Sequence, residues 1–188
     1  MDNRADLVFN CLTQTVGREP GDVLVLEASP PETEGVFVFV FRDYPEPSLV
    51  TGFTSGLSAA NQADWEDTKP ELSLTVASAD AAWMQALAYL VDWNRTVHSF
   101  SPGSLFHYGR AVSVESAMDS FLVFDLAIGR GGEFCNVAVD KDLITFLGVH
   151  PLYYDEVAML QKVGIRKFMG LPEYRLFSTK RPDLSKIY

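Results

Sequence analysis

The chain is 188 residues long, enough for one domain around a single core, and its 47% hydrophobic and 21% charged content excludes a disordered chain. Fifteen Lys and Arg against twenty-five Asp and Glu give a net charge of −10, which repels a phosphate backbone and argues against direct nucleic-acid binding. The longest apolar run, VFVFVF, is strand-sized and too short for a bilayer-spanning helix, so neither nucleic acid nor membrane is an expected partner.

At the N-terminus, MDNRADLVFN carries charges where a signal peptide needs an apolar stretch, and the expected compartment is the cytoplasm. Ala5 to Val16 places Val8, Cys11, Leu12 and Thr15 on one helical side, and Gly17 supplies a stop. DVLVLEAS (Asp22 to Ser29) reads as a short strand and PPETEG as a turn-rich break. VFVFVFR (Val36 to Arg42) is the strongest strand. Both of its faces are apolar, which predicts a position between two packed layers. SLVTGFTS resumes as a strand, a long polar loop carries Asp64, Trp65, Glu66 and Asp67, and ELSLTVAS alternates as a further strand.

The best helix spans about Ala79 to Asn94, with Trp83, Leu87 and Leu90 at helical spacing and Ala86 and Trp93 widening the stripe. Beyond it, FLVFDLAIG and EFCNVAV flank GRGG, and LITFLGV is another strand. The mixture predicts a single α+β domain over residues 1–188, with a mixed or mainly antiparallel sheet flanked by helices.

The candidate chemistry is sparse. IGRGGEF lacks the GK[ST] of a phosphate loop and the GxGxxG of a dinucleotide fold, and Gly-Gly between two strand-like runs predicts a hairpin turn. His98, His107 and His150 form no HxxxH or HExxH pair. Cys11 and Cys135 have no zinc-ligand spacing and are expected as buried thiols. The most loaded stretch, FLGVHPLYYDEVAMLQKVG, reads as a strand handing over to a helix. Pro151 fits the helix entry, Val157, Leu160 and Val163 one apolar face, and Gly164 the stop. Asp155 and Glu156 then sit in the first turn, where negative charge meets the helix dipole, and Lys162 in the last.

The order of these segments resembles the suppressor-of-fused domain family. The resemblance runs from the helix ending in Gly17-Arg18-Glu19-Pro20 through the paired strands to Thr54, Ser55, Gly56, Leu57 and Ser58, which resemble the family's T-x-G-L/M-S turn. Glu71 and Leu72 match its Glu-Leu strand opening. Leu147, Pro151, Leu152 and Glu156 match a later segment, and Arg181 to Asp183 resemble its basic close. The resemblance implies an α+β domain without known enzymatic activity or cofactor, working by binding proteins. Relatives with an added C-terminal domain hold zinc-finger transcription factors through an extended peptide, and single-domain bacterial members include immunity proteins that neutralise toxin domains.

Three functions follow as expectations. The first is a non-enzymatic protein-binding domain whose partner is a basic protein such as a toxin domain. Its surface would include the loop acids Asp64, Glu66 and Asp67, with Trp65 either tucked onto the core or serving as an interface anchor. The alternative is a small hydrolase or metal-dependent enzyme with a cleft assembled from His107, His150, Cys135, Asp155 and Glu156. The third is a scaffold subunit acting by oligomerisation.

Overall fold

The computed structural model describes residues 3–27, 34–60, 62–65, 67–129 and 132–188. Helix α1 (Asn3–Val16) leads into β1 (Asp22–Leu26), β2 (Val36–Arg42), β3 (Val50–Ser55) and β4 (Lys69–Val76). After α2 (Ala82–Asn94) come β5 (Leu105–His107), β6 (Ser120–Phe124), β7 (Val137–Val139) and the long β8 (Asp142–Leu152). Helices α3 (Tyr154–Val163) and α4 (Ile165–Met169) follow, and a 3-10 turn (Leu184–Lys186) closes the chain. The expected α+β architecture is present as one mixed sheet, ordered β1-β2-β3-β4-β8-β6-β5, with β7 also on β8. Neighbours are antiparallel except β4 and β8, which run parallel from Lys69↔Ile144 to Leu74↔Val149.

Period-two alternation sorts the side chains onto two faces. On one, Val36, Val38 and Val40 join Leu72, Leu74 and Val76 beneath α2, whose Trp83, Met84, Leu87, Leu90 and Val91 are buried. On the other, Phe39, Phe41, Phe53 and Phe146 receive Ala5, Val8 and Leu12 of α1. The run VFVFVFR is therefore apolar on both sides because a helix covers each side. Further along the second face, Leu122 and Leu152 pack with Leu160, Phe168 and Leu184.

Several details differ from the sequence reading. Pro151 lies inside β8, opposite Phe121 of β6, and α3 starts only at Tyr154. The β4 partner ends at Val149, so at Pro151 the strand has lost that neighbour, and a missing N–H is tolerated there. Arg130 and Gly131 of the glycine-rich stretch lie outside the described residues, and the strands that flank it do not form the expected hairpin with each other. β6 pairs with residues 148–152 of β8 and β7 with residues 142–144, both on the edge opposite β4, so the two strands follow one another along β8. Trp93 is 55% exposed instead of widening the buried stripe, because its ring stacks on Tyr89 one turn back and on Tyr108. Cys135 is exposed and Cys11 only partly buried, and both are free thiols.

Candidate binding surface

Two buried carboxylates organise the chain. Glu71, fully buried on β4, accepts hydrogen bonds from the hydroxyls of Thr54 (2.6 Å) and Ser58 (2.6 Å). It also accepts from the backbone N–H of Gly56 (2.9 Å), Leu57 (3.3 Å) and Ser58 (2.9 Å). Gly56 sits at φ +134°, where a Cβ would come within 2.6 Å of the Gly35 carbonyl, so only glycine fits the turn that wraps this carboxylate. The second is Glu156, the third residue of α3. It caps its own helix through Tyr153 N–H (3.0 Å) and accepts two bonds from Arg181, at 2.5 and 2.7 Å. Leu184 N–H donates to it as well (2.8 Å), and the Arg181 guanidinium lies over the rings of Tyr153 and Tyr174. Burial pushes the Tyr174 phenol up to about 12, with Arg181 pulling the other way.

Of the residues of the candidate enzyme cleft, all but the free thiol Cys135 are engaged in other contacts. His107 faces the Ser120 hydroxyl (3.2 Å) and the Tyr154 ring. His150 is buried, its Nε2 set against the Asp125 carbonyl at 3.1 Å, and burial lowers its pKa against the pull of that bond. Cys135 lies in the loop between β6 and β7. Asp155 is ion-paired with Lys186, while Glu156 is inside the Arg181 clamp. Among the described residues no three His, Cys, Asp or Glu side chains are placed to hold a metal. The conspicuous acids of the opening turn of α3 are helix and tail chemistry.

The Asp64–Asp67 loop presents the opposite picture. Asp64 and Asp67 are exposed, neither is ion-paired to a described residue, and Glu66 lies outside the described residues. Trp65 is partly buried against the main core, its Nε1 without a hydrogen-bond partner among the described residues. Gln62 ties the loop to the end of α2 through the Arg95 carbonyl, at 2.6 Å. A cavity of about 400 Å³ opens beside it, lined by Trp65, Pro70, Phe100, Pro102 and Leu147 with Asp64 and Asp67 at its rim. A second cavity, of about 340 Å³, is internally neutralised, since Asp142 pairs with both Arg4 (2.9 Å) and Lys69 (3.1 Å). Burial pushes the Asp142 carboxyl up, but those two cations outweigh it and hold it below the usual range.

Sequence reasoning missed the stack of the exposed Trp93 on the partly buried Tyr89 and Tyr108, with Arg110 6.0 Å from the last ring. Its legible signal was the i, i+4 spacing of Tyr89 and Trp93 on α2.

Three solved structures share this fold. A suppressor-of-fused homologue from Neisseria gonorrhoeae aligns at TM-score 0.66 and 17% identity, over 88% of this chain and 86% of its own. A chain of the Sufu–Fu complex aligns at 0.70 and 10% identity, over 98% and 93%. Drosophila Suppressor of Fused aligns at 0.69 and 12% identity, covering 99% of this chain, which spans about half (52%) of that one. No curated protein matches. The model of the family described as Suppressor of fused protein (SUFU) matches residues 32–182, a stretch that contains Glu71, Glu156 and Arg181. With that match over most of its length, the chain belongs to the suppressor of fused family.

Proposed function

We propose that this chain is a non-enzymatic protein-binding domain that captures a basic protein, with neutralisation of a toxin domain as its role. The observation that carries the reading is the Asp64–Asp67 loop, whose described acids Asp64 and Asp67 are exposed and not ion-paired to any described residue beside a tryptophan that lines a cavity, on a chain of net charge −10. Such a surface steers a basic partner and supplies an apolar centre within a polar rim. The family supports it at the coarse level, since one relative of the same fold is seen in the Sufu–Fu complex.

The test is capture of the partner from the native cells, its identification by mass spectrometry, and titration of the purified pair. The expected partner is basic and its toxicity is suppressed by the chain. Trp65→Ala should weaken binding by about 2 kcal/mol or more, roughly 30-fold, as expected of a hot spot. Neutralising Asp64, Glu66 and Asp67 should chiefly slow association and flatten its salt dependence. An acidic partner, or binding unaltered in folded variants, counts against the reading.

A further inference from the structure

We propose that the cavity walled by Trp65, Phe100 and Leu147 is a socket for one arginine side chain of the partner protein. The inference rests on the protein-binding reading and names what the loop recognises.

The cavity has apolar walls, with the uncharged Thr68, Ser101 and Thr145 between them. Phe100 is 2% exposed and stacks on Phe106 at 4.8 Å, and Leu147 and Pro70 stand on the paired strands β8 and β4. Trp65 packs against the same core, so its indole is a wall of the hollow and not a knob projecting from the surface. An interface residue of this kind receives a side chain from the partner. The rim decides which one. Asp64 and Asp67 are exposed there, and no Lys, Arg or His is among the lining residues. The cavity at Asp142 differs in this respect, because Arg4, Lys69 and Lys141 line it together with the acids.

A fitting occupant therefore has a long apolar stem for the walls and a cationic head for the rim. Arginine satisfies both demands. Its guanidinium is weakly hydrated, stacks on an aromatic face and forks towards carboxylates, whereas the lysine ammonium keeps a tighter hydration shell. An aliphatic side chain would leave both rim acids unused, and an acidic one would be repelled.

The probe is a capped pentapeptide, Ala-Gly-Arg-Gly-Ala, titrated into the ¹⁵N-labelled full chain, with the citrulline peptide of the same sequence as the uncharged control. The three indole N–H signals are assigned with Trp65→Phe, Trp83→Phe and Trp93→Phe. The arginine peptide is expected to move the Trp65 signal along a saturable curve, with the arginine Cδ protons shifted upfield by the ring. The citrulline peptide, and the arginine peptide on the exposed-site variant Asp64→Asn/Asp67→Asn, should bind at least fivefold more weakly. Equal response to citrulline, a tighter response to a norleucine peptide, no saturable shift at Trp65, or shifts centred on Trp93 would each overturn the socket. A basic partner captured by a chain that fails this titration keeps the binding function and removes the socket alone. Arginine binding at Trp65 without any basic partner keeps the socket and removes the proposed function.

Discussion

At the scale of single residues, the charged motif positions Glu71, Glu156 and Arg181 turn out to be internal. Glu71 gathers five donors from the Thr54–Ser58 turn, and Glu156 gathers Arg181, Tyr153 and Leu184. Replacing Glu71 by Gln keeps the shape but points an amide donor at groups that are themselves donors. Hydrogen bonds to a charged acceptor contribute about 1.5–3 kcal/mol each, so a loss of about 3 kcal/mol or more is expected in denaturant unfolding. A loss under about 1 kcal/mol would show that the turn is held by other contacts. The motif residues themselves were legible in the sequence, but their partnerships were not. Glu71 meets Ser58 across 13 positions, and Glu156 meets Arg181 across 25, distances that only the folded chain closes. His150 allows a test by pH. Burial lowers its folded pKa, so below about 6.5 the unfolded chain takes up a proton that the folded chain resists. Its contribution is therefore whole at pH 7 and shrinks as pH falls from about 6.5 towards the lowered folded value. His150→Asn should flatten the pH dependence of unfolding as pH falls below about 6.5, and an unchanged slope would assign that dependence to other groups.

At the scale of elements, α2 was the most legible, because a stripe of Trp83, Leu87 and Leu90 needs a sheet to cover. Leu87 is fully buried within that contact, and Leu87→Ala should cost about 2–5 kcal/mol by equilibrium unfolding. A loss below about half a kcal/mol would mean that the helix presents another face. Opposite α2, Gly52 of β3 leaves room for the helix, since an added Cβ would collide with Met84 and come within 2.9 Å of Val38. The helix α3 was legible through its apolar spacing and its stop, Gly164, which sits at φ +87° where side chains are strained. Its start, Tyr154, falls within a few residues of Pro151 as expected, but Pro151 itself belongs to β8 and not to the helix entry, because a proline there carries two meanings. A proline opens helices well, yet it also suits a strand that has lost one neighbour, and only the point where β4 and β8 stop pairing, at Leu74 and Val149, decides between them. For the same reason the glycine-rich loop was misread. Gly-Gly signals a turn, but whether the flanking strands pair with each other or with β8 depends on a strand further along the chain. Strand β5, three residues long, carries too few positions for alternation to register.

At the scale of the whole molecule, the composition and the order of segments read correctly as an α+β fold, while the closure of the far end of the sheet did not. That end is sealed by the tail. Arg181 neutralises Glu156 inside the protein, and Leu184 is fully buried with Leu122, Leu152, Leu160 and Phe168. Deleting residues 181–188 would leave the Glu156 charge buried without its cation, a defect that costs about 3–5 kcal/mol in comparable pairs. It would also uncover the hollow filled by Leu184, a side chain whose burial contributes about 1.5–3 kcal/mol. Together these reach about 5 kcal/mol or more, a large share of the 5–15 kcal/mol by which domains are usually stable. For a chain of this length that corresponds to a fall in Tm of about 10–20 °C, measurable by circular dichroism. Arg181→Met separates the two contributions, because it removes the cation and keeps Leu184. If the deletion melts within a few degrees of the intact chain, the Glu156 carboxyl does not depend on Arg181 and the tail does not seal the sheet. If Arg181→Met alone reproduces most of the fall, the buried charge is the dominant part, and the tail's apolar residues serve mainly to place the guanidinium.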